Sequence, residues 1–182
     1  MSKILFVHIP KTGGTSIKTT QFFKSKCEWF LHDFAIKHQK ENQDSFCFVR
    51  NPYDRLVSAY FFIKNGGIRS KDDLERAKRV NKYPDFKTFC KHLDEFKNEM
   101  HFIPQYKYVV NNDDNVIVKN ILRFENINSD FSEFISKYNL KNNNLPIVNT
   151  SKHDHFNNYY DEETKNIVYN FYIKDFKLFN YK

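Results

Sequence analysis

Residues 3–16 read KILFVHIPKTGGTS, and they carry the strongest structural signal in the sequence. From Ile4 to Pro10 nearly every residue is apolar or common in strands. Because this run scarcely alternates with polar residues, it predicts a strand that is buried on both faces. Two of the only four glycines in the chain follow as Gly13-Gly14. We expect a helix to begin at Gly14 and to run to about Lys24.

A buried strand that leads through two glycines into a helix is typical of an anion-binding loop. The first N–H groups of a helix have no partner within the helix, and glycines allow a phosphate to approach them closely. Lys11 adds a positive charge, and the hydroxyl groups of Thr12, Thr15 and Ser16 add donors. The alternative is an ordinary glycine-rich entry to a helix, with a lysine at the surface.

The order of residues in this loop disfavours a metal-dependent kinase. A nucleoside-triphosphate loop reads GxxxxGK[ST], so that the lysine follows the glycines and the next hydroxyl holds magnesium. Here Lys11 precedes the glycines, and the sequence shows no evident pair of carboxylates for magnesium. We therefore expect no metal.

The remaining segments predict an α/β fold with a mainly parallel sheet flanked by helices. An apolar strand at 45–50, SFCFVR, ends on an arginine, and Asn51-Pro52 then begins a helix that runs to about Lys64. We expect one domain over residues 1–182. Further elements are predicted at 29–34 (strand or loop), 68–83 (solvated helix or loop), 85–96 (helix), 115–126 (one or two strands), 129–140 (helix) and 161–179 (helix).

A second candidate anion site follows the second strand. Arg50 stands at the carboxyl end of that strand, where α/β sheets bind ligands, and Ser58 lies roughly two helical turns into the next helix. A guanidinium with a hydroxyl in this arrangement suits a second phosphate. For the neighbouring Arg55 we favour a structural role in an ion pair, with Asp54 as one candidate partner.

The composition narrows the class of protein. The chain of 182 residues carries a net charge of +7, which suits an anionic partner such as a phosphorylated cofactor, an acidic glycan, a nucleic acid or a membrane surface. The three cysteines form no CxxC pair and are predicted to be buried, reduced thiols. No signal peptide or membrane span is evident, so we expect a soluble, cytoplasmic protein.

Two stretches resemble a known family. HIPKTGGTS (8–16) and FVRNPYDRLVSAY (48–60) are similar to the two nucleotide-binding motifs of sulfotransferases that use 3′-phosphoadenosine 5′-phosphosulfate (PAPS), above all those acting on carbohydrates such as heparan sulfate and chondroitin. The resemblance implies a P-loop-like fold of three layers. Looser likeness continues at 98–109, 121–127, 145–153 and 169–181.

The resemblance also implies roles for individual residues. Lys11, Thr12, Gly13, Gly14, Thr15 and Ser16 would bind the 5′-phosphosulfate, and Arg50 and Ser58 the 3′-phosphate. Ser151 and Lys152 would lie near a phosphate in a loop that closes over the cofactor. An ordinary solvated loop is the alternative for that segment.

Transfer to a hydroxyl acceptor near neutral pH needs a general base, and histidine is the usual one. His32 is the first choice, because several carbohydrate sulfotransferases carry their catalytic histidine at this place after the first helix. His101 is the second choice, and His8 on the first strand is predicted to be structural. Gln105 and Tyr106 are candidates to line the acceptor cleft, although a tyrosine in the core fits Tyr106 equally well.

The sequence therefore predicts a sulfotransferase that moves the sulfuryl group of PAPS to a hydroxyl, most simply that of a carbohydrate, and releases adenosine 3′,5′-bisphosphate. Lys11 would stabilise the charge that develops on the leaving oxygen. A nucleotide or small-molecule kinase is the first alternative. A basic module that binds glycan or nucleic acid without catalysis is the second, and the scattered basic residues count against it. We expect neither nucleic acid nor membrane as a partner.

Overall fold

The computed structural model describes residues 3–30, 32–139, 145 and 153–182. The chain divides into two compact units, each built from two stretches of sequence. The first unit comprises Met1–Arg50 and Gln105–Thr150, and the second comprises Asn51–Pro104 and Ser151–Lys182. The expectation of a single domain over residues 1–182 stays a prediction.

Over most of the chain, the helices and strands agree with those predicted from the sequence. The strands in the described ranges are β1 (Ile4–Val7), β2 (Cys27–Phe30), β3 (Ser45–Val49) and β4 (Asn120–Arg123). The helices there are α1 (Gly14–Lys18), α2 (Gln21–Lys26), α3 (Pro52–Lys64), α4 (Lys71–Val80), α5 (Phe86–Lys91), α6 (Tyr106–Val109), α7 (Ile127–Ser136), α8 (Glu162–Phe171) and α9 (Ile173–Leu178).

The first unit is built around a parallel sheet. Its four described strands lie in the order β2-β1-β3-β4, and every neighbouring pair runs parallel. The predicted α/β fold with a parallel sheet flanked by helices is therefore confirmed. All four strands end at one edge of the sheet, which we call the carboxyl edge.

The central strands are buried on both faces, as their sequences predict. Ile4 and Phe6 of β1 lie in a cluster with aromatic residues of α2 and α7, while Leu5 and Val7 point to the opposite face because successive side chains of a strand alternate. All four side chains are buried, the most exposed at 4%. Ring contacts join strand to helix in this cluster: Phe6–Phe46 at 4.8 Å and Phe46–Phe134 at 4.6 Å between centroids.

The predicted helix from Gly14 to about Lys24 is wrong in one respect, because the structure breaks it at Thr20. This residue is extended, with φ −72° and ψ 151°. Its hydroxyl donates to the carbonyl oxygen of Ile17 at 2.7 Å and accepts from the N–H of Phe23 at 3.1 Å. One side chain thus ends α1 and caps α2. Short hydroxyl residues are favoured at such a break because their side chains bond main-chain groups that a helix end leaves unpaired.

The second unit has an aromatic core that joins α3, α5, α8 and α9. Asp85 caps α5 as predicted. The predicted helix over 161–179 is interrupted at Tyr172, whose buried hydroxyl donates to the carbonyl oxygen of Phe102 at 2.8 Å. This anchor accompanies a change of backbone conformation at Tyr172 that the apolar periodicity did not reveal.

The structure also tests the predictions for Arg55 and for the three cysteines. Arg55 is structural, with 1% of its surface exposed, but its partners are the carbonyl oxygens of His101 and Ile103 at 3.3 and 2.7 Å. The cysteines, Cys27, Cys47 and Cys90, are buried free thiols. In the described ranges, no helix combines the length and the apolar character needed to span a membrane.

Candidate functional site

At the carboxyl edge of the sheet, one candidate site residue follows each strand. The loop with Lys11 follows β1, His32 follows β2, Arg50 follows β3 and Phe124 follows β4. This edge is where α/β proteins place ligands, because the chain segments leaving the strands converge there. These four segments of the first unit therefore form the candidate site.

Gly13 is required by its backbone conformation and by its neighbours. Its φ is +85°, in the left-handed region that side-chain-bearing residues rarely adopt. A Cβ atom at this position would lie 2.7 Å from Cδ1 of Ile127 and 3.2 Å from the ring of Phe124. The loop can therefore lie against these two residues only because position 13 has no side chain.

Gly14 is required for a different reason, which is space. A Cβ atom on it would lie 2.0 Å from Nε2 of His8, far inside van der Waals contact. The His8 ring is 5% exposed and stacks on Phe6 at 5.6 Å between centroids. The two adjacent glycines thus let the loop be packed from both sides.

Lys11 is strained and electrostatically stressed. Its φ is +69°, also left-handed, and Gly13 repeats that hand two residues later. A backbone that alternates in hand turns successive N–H groups toward one concavity, which suits an anion. Burial, followed by repulsion from Arg50, lowers the pKa of Lys11 to about 8. A bound anion would relieve that repulsion.

The hydroxyl residues of the loop differ in what they can do. The Thr12 hydroxyl is buried and donates its only proton to the carbonyl oxygen of Ile9 at 2.9 Å, so its side chain shapes the loop. Thr15 is exposed and Ser16 is 8% exposed. The predicted contacts of all three with a phosphosulfate stay predictions.

Arg50 reaches the glycine loop from the end of β3. Its Nη1 donates to the carbonyl oxygen of Lys11 at 3.2 Å, and its guanidinium carbon lies 4.2 Å from the centre of the Phe124 ring. Stacking on an aromatic face is favourable for a guanidinium. The fold therefore holds two positive side chains at one loop.

Gln105 holds the main chain of Arg50 in place. It is fully buried; its Oε1 accepts from the N–H of Arg50 at 2.9 Å and its Nε2 donates to the carbonyl oxygen of Arg50 at 2.8 Å. The sequence had suggested Gln105 and the half-buried Tyr106 for the acceptor cleft, and that contact stays a prediction. The clamp on Arg50 is a role that the sequence did not predict.

His32 lies beside His8 at the carboxyl edge. Its φ is +50°, its Nδ1 is 3.2 Å from the carbonyl oxygen of His8, and the two rings are 4.3 Å apart between centroids. The neighbouring Asp33 binds Lys37 and His38 at 2.8 and 3.0 Å. Burial alone would raise the pKa of Asp33, but these two hydrogen bonds hold it at about 2.

The remaining predicted residues lie elsewhere in the chain. Ser58 (2% exposed, on α3) and His101 (6% exposed, near the Phe62 ring) both belong to the second unit. Ser151 and Lys152 lie outside the described residues. Their assigned roles stay predictions.

Sequence reasoning missed Phe124, and it assigned Gln105 to the acceptor cleft without revealing its hydrogen bonds to the Arg50 main chain. Phe124 directly follows β4, so the rule that placed Arg50 at the end of β3 would have found it had β4 been delimited. No local pattern marks the pairing of Gln105 with Arg50, because the two residues are 55 positions apart in the chain. In the described part of the chain, no cluster of histidine, cysteine or acidic side chains is arranged to hold a metal ion.

These observations define an α/β protein whose parallel sheet carries a tightly packed glycine loop and two cations at its carboxyl edge. A family model described as "Sulfotransferase family" matches residues 1–182. The chain therefore belongs to the sulfotransferase family, whose members transfer sulfuryl groups, and the resemblance seen in the sequence is confirmed at that level. Searches of curated proteins and of solved structures returned no match.

The clamp predicts a measurable effect on stability. Gln105→Ala removes both hydrogen bonds to the Arg50 main chain and should lower the free energy of unfolding by about 2 kcal/mol. Gln21→Ala, at an exposed glutamine of α2, is the matched control and should change it by less than about 0.5 kcal/mol. Urea unfolding measures both, and equal effects of the two variants would contradict the clamp.

Proposed function

We propose that this protein transfers the sulfuryl group of PAPS to a hydroxyl group of a carbohydrate acceptor. The observation that carries the proposal is the pairing of Lys11 and Arg50 at the glycine loop. Arg50 touches the main chain of Lys11, and its charge adds to burial in lowering the pKa of the Lys11 ammonium group. Like charges are held this close where the natural ligand is an anion.

The donor fits the residues present. A loop that is left-handed at Lys11 and Gly13, and that is packed where each glycine lacks a Cβ atom, suits the compact phosphosulfate. The guanidinium of Arg50 lies at the same loop, and its planar fork of N–H donors matches the oxygens of a phosphate, so Arg50 also suits the 3′-phosphate. The proposal keeps Ser58, Ser151 and Lys152 as further phosphate contacts, on the resemblance alone.

When bound, PAPS supplies an activated sulfur–oxygen bond. Lys11 would stabilise the negative charge that develops on the oxygen of the leaving phosphate as that bond breaks. His32 would accept the proton of the acceptor hydroxyl while the hydroxyl oxygen forms its bond to sulfur. The loop fixes the donor, so the nucleophile and the leaving group can align on opposite sides of the sulfur.

The acceptor class rests on two supports. The resemblance of 8–16 and 48–60 is strongest to carbohydrate sulfotransferases, and the net charge of +7 favours acidic glycans. Incubation with labelled PAPS and a panel of glycans, phenols and small alcohols tests this assignment. Labelling of glycans alone supports it, and labelling of phenols or small alcohols alone would contradict it.

A kinase is the alternative reaction class, and nucleotide preference separates the two. Thermal shift should show stabilisation by adenosine 3′,5′-bisphosphate at concentrations where ATP has little effect. Stabilisation by ATP alone, with no response to millimolar adenosine 3′,5′-bisphosphate, would contradict the sulfotransferase proposal.

The role of Lys11 predicts a loss of rate without a loss of structure. Lys11→Ala should lower kcat at least about 100-fold, because the charge on the leaving oxygen loses its counterion. The thermal midpoint should not fall, since the substitution removes a buried positive charge that Arg50 repels. Lys24→Ala, at an exposed lysine of α2, is the control. Wild-type turnover of Lys11→Ala would contradict the role.

The assignment of the base predicts a split between binding and chemistry. His32→Ala should lower kcat by about 100-fold or more, while the Kd for adenosine 3′,5′-bisphosphate stays within about threefold of wild type. His101→Ala is the matched comparison and should leave kcat nearly unchanged. A loss confined to His101→Ala would move the assignment to that residue.

The lowered pKa of Lys11 predicts proton uptake on binding. At pH 9 Lys11 is mostly neutral, since its pKa is about 8. A bound phosphate raises that pKa, so binding of adenosine 3′,5′-bisphosphate should take up about 0.5–1 proton. Near pH 6.5 Lys11 already carries its proton and contributes no uptake.

Calorimetry in two buffers of different ionisation enthalpy measures this uptake. The uptake at pH 9 should persist in Lys24→Gln and disappear in Lys11→Gln, titrated at higher nucleotide concentration. Tight binding of the nucleotide by wild type at pH 9 without proton uptake would show that no anion is bound next to Lys11.

A further inference from the structure

His8 connects the glycine loop to His32 within the first unit. Its ring lies against Gly14, where a Cβ atom would be 2.0 Å from Nε2 and 2.1 Å from Cδ2 of the imidazole. The same ring lies beside that of His32, with 4.3 Å between the centroids. One buried side chain therefore touches both the loop that carries Lys11 and the residue proposed as the base.

The His8 ring is also fixed on its other sides. It stacks on Phe6, with 18° between the ring planes, and Trp29 approaches it edge-on at 6.0 Å between centroids. Because aromatic neighbours surround it, the ring has little room to swing away from Gly14. Any displacement of the loop at Gly14 is then transmitted to His8, and any displacement of His8 reaches His32.

The main chain of His8 adds a second connection. Its carbonyl oxygen lies 3.2 Å from Nδ1 of His32. A carbonyl can only accept a hydrogen bond, so Nδ1 of His32 donates and carries the proton of the neutral ring. The lone pair then lies on Nε2, which is the ring atom that can accept a proton in this tautomer.

The geometry points to His8 as a positioning residue that fixes the glycine loop and the imidazole of His32 relative to each other, and so sets the tautomer in which His32 acts. The inference rests on the proposed function in that His32 is the base. His8 itself touches neither donor nor acceptor in this assignment. It acts through Gly14 and through His32.

Nitrogen-15 NMR of the histidine rings tests the connection to His32 without any substrate. Wild type should show the neutral His32 ring protonated on Nδ1. His8→Ala keeps the carbonyl oxygen but removes the ring that holds the His32 imidazole against it, so it should weaken this bias and give a mixture of tautomers. His92→Ala is the control, because His92 belongs to the second unit and contacts Glu95 there, and it should leave the His32 signals unchanged.

A double-mutant cycle tests the connection to Gly14. Gly14→Ala should lower Tm by about 5 °C or more in wild type, because the added methyl group meets the His8 ring. In the His8→Ala background the same substitution should lower Tm by less than about 2 °C, since the space has opened. Non-additivity of this kind is expected only for residues in contact.

Gly14→Ala also keeps the inference testable if His8→Ala fails to fold. By displacing the His8 ring it should shift the His32 tautomer, although position 14 is not adjacent to His32 in the chain. An unchanged His32 tautomer in both His8→Ala and Gly14→Ala, or an equal loss of Tm in both backgrounds, would overturn the inference.

Binding and turnover separate this inference from the proposed function. Coupled NMR and Tm effects together with nucleotide binding, and with a lower kcat in His8→Ala at unchanged Kd, support both. The same coupling in a protein that neither binds adenosine 3′,5′-bisphosphate nor uses PAPS would overturn the proposed function and leave the positioning geometry of His8 established.

Discussion

The loop after β1 is packed on two sides at once. The ring of Phe124 and the methyl end of Ile127 lie against Gly13, and the His8 ring lies against Gly14, at distances that exclude a Cβ atom at either position. Packing of this density leaves the loop little freedom to relax. The backbone conformation of the loop is therefore set by the fold before any ligand arrives, which is the condition for electrostatic stabilisation of a transition state.

The charges at this edge follow from the same packing. Lys11 adopts a left-handed conformation, and burial, followed by repulsion from Arg50, lowers its pKa to about 8. Arg50 is itself held by Phe124 on one side and by Gln105 through its main chain. Both the strain and the repulsion cost stability, and residues that accept such costs are typical of binding and catalytic sites. A polyanionic donor would convert the repulsion into attraction.

Local signals in the sequence predicted much of this arrangement. The uninterrupted apolar run before Gly13 predicted β1, and the strand ending on Arg50 predicted β3. The order of lysine and glycines argued against a nucleoside-triphosphate loop, and the resemblance of 8–16 and 48–60 pointed to the sulfotransferase family, which the family match confirms. What the sequence did not reveal depends on distant contacts. Gln105 is 55 residues from Arg50 along the chain, and no local pattern marks their pairing.

Two helix boundaries were also missed by the sequence analysis. Apolar periodicity runs through Thr20 and Tyr172, yet side-chain hydrogen bonds to main-chain carbonyl oxygens accompany the breaks at both places. The two glycines correctly predicted a loop, but the sequence did not show why each position needs a glycine. Gly13 needs its backbone conformation and Gly14 needs space beside His8, and only the packed neighbours distinguish the two.

A crystal structure of the protein soaked with adenosine 3′,5′-bisphosphate tests directly whether the glycine loop and Arg50 bind the two phosphates. The account predicts the 5′-phosphate in the glycine loop, within about 3 Å of loop N–H groups and of Nζ of Lys11, and the 3′-phosphate on the guanidinium of Arg50. A nucleotide bound with its phosphates away from both Lys11 and Arg50 would contradict the account.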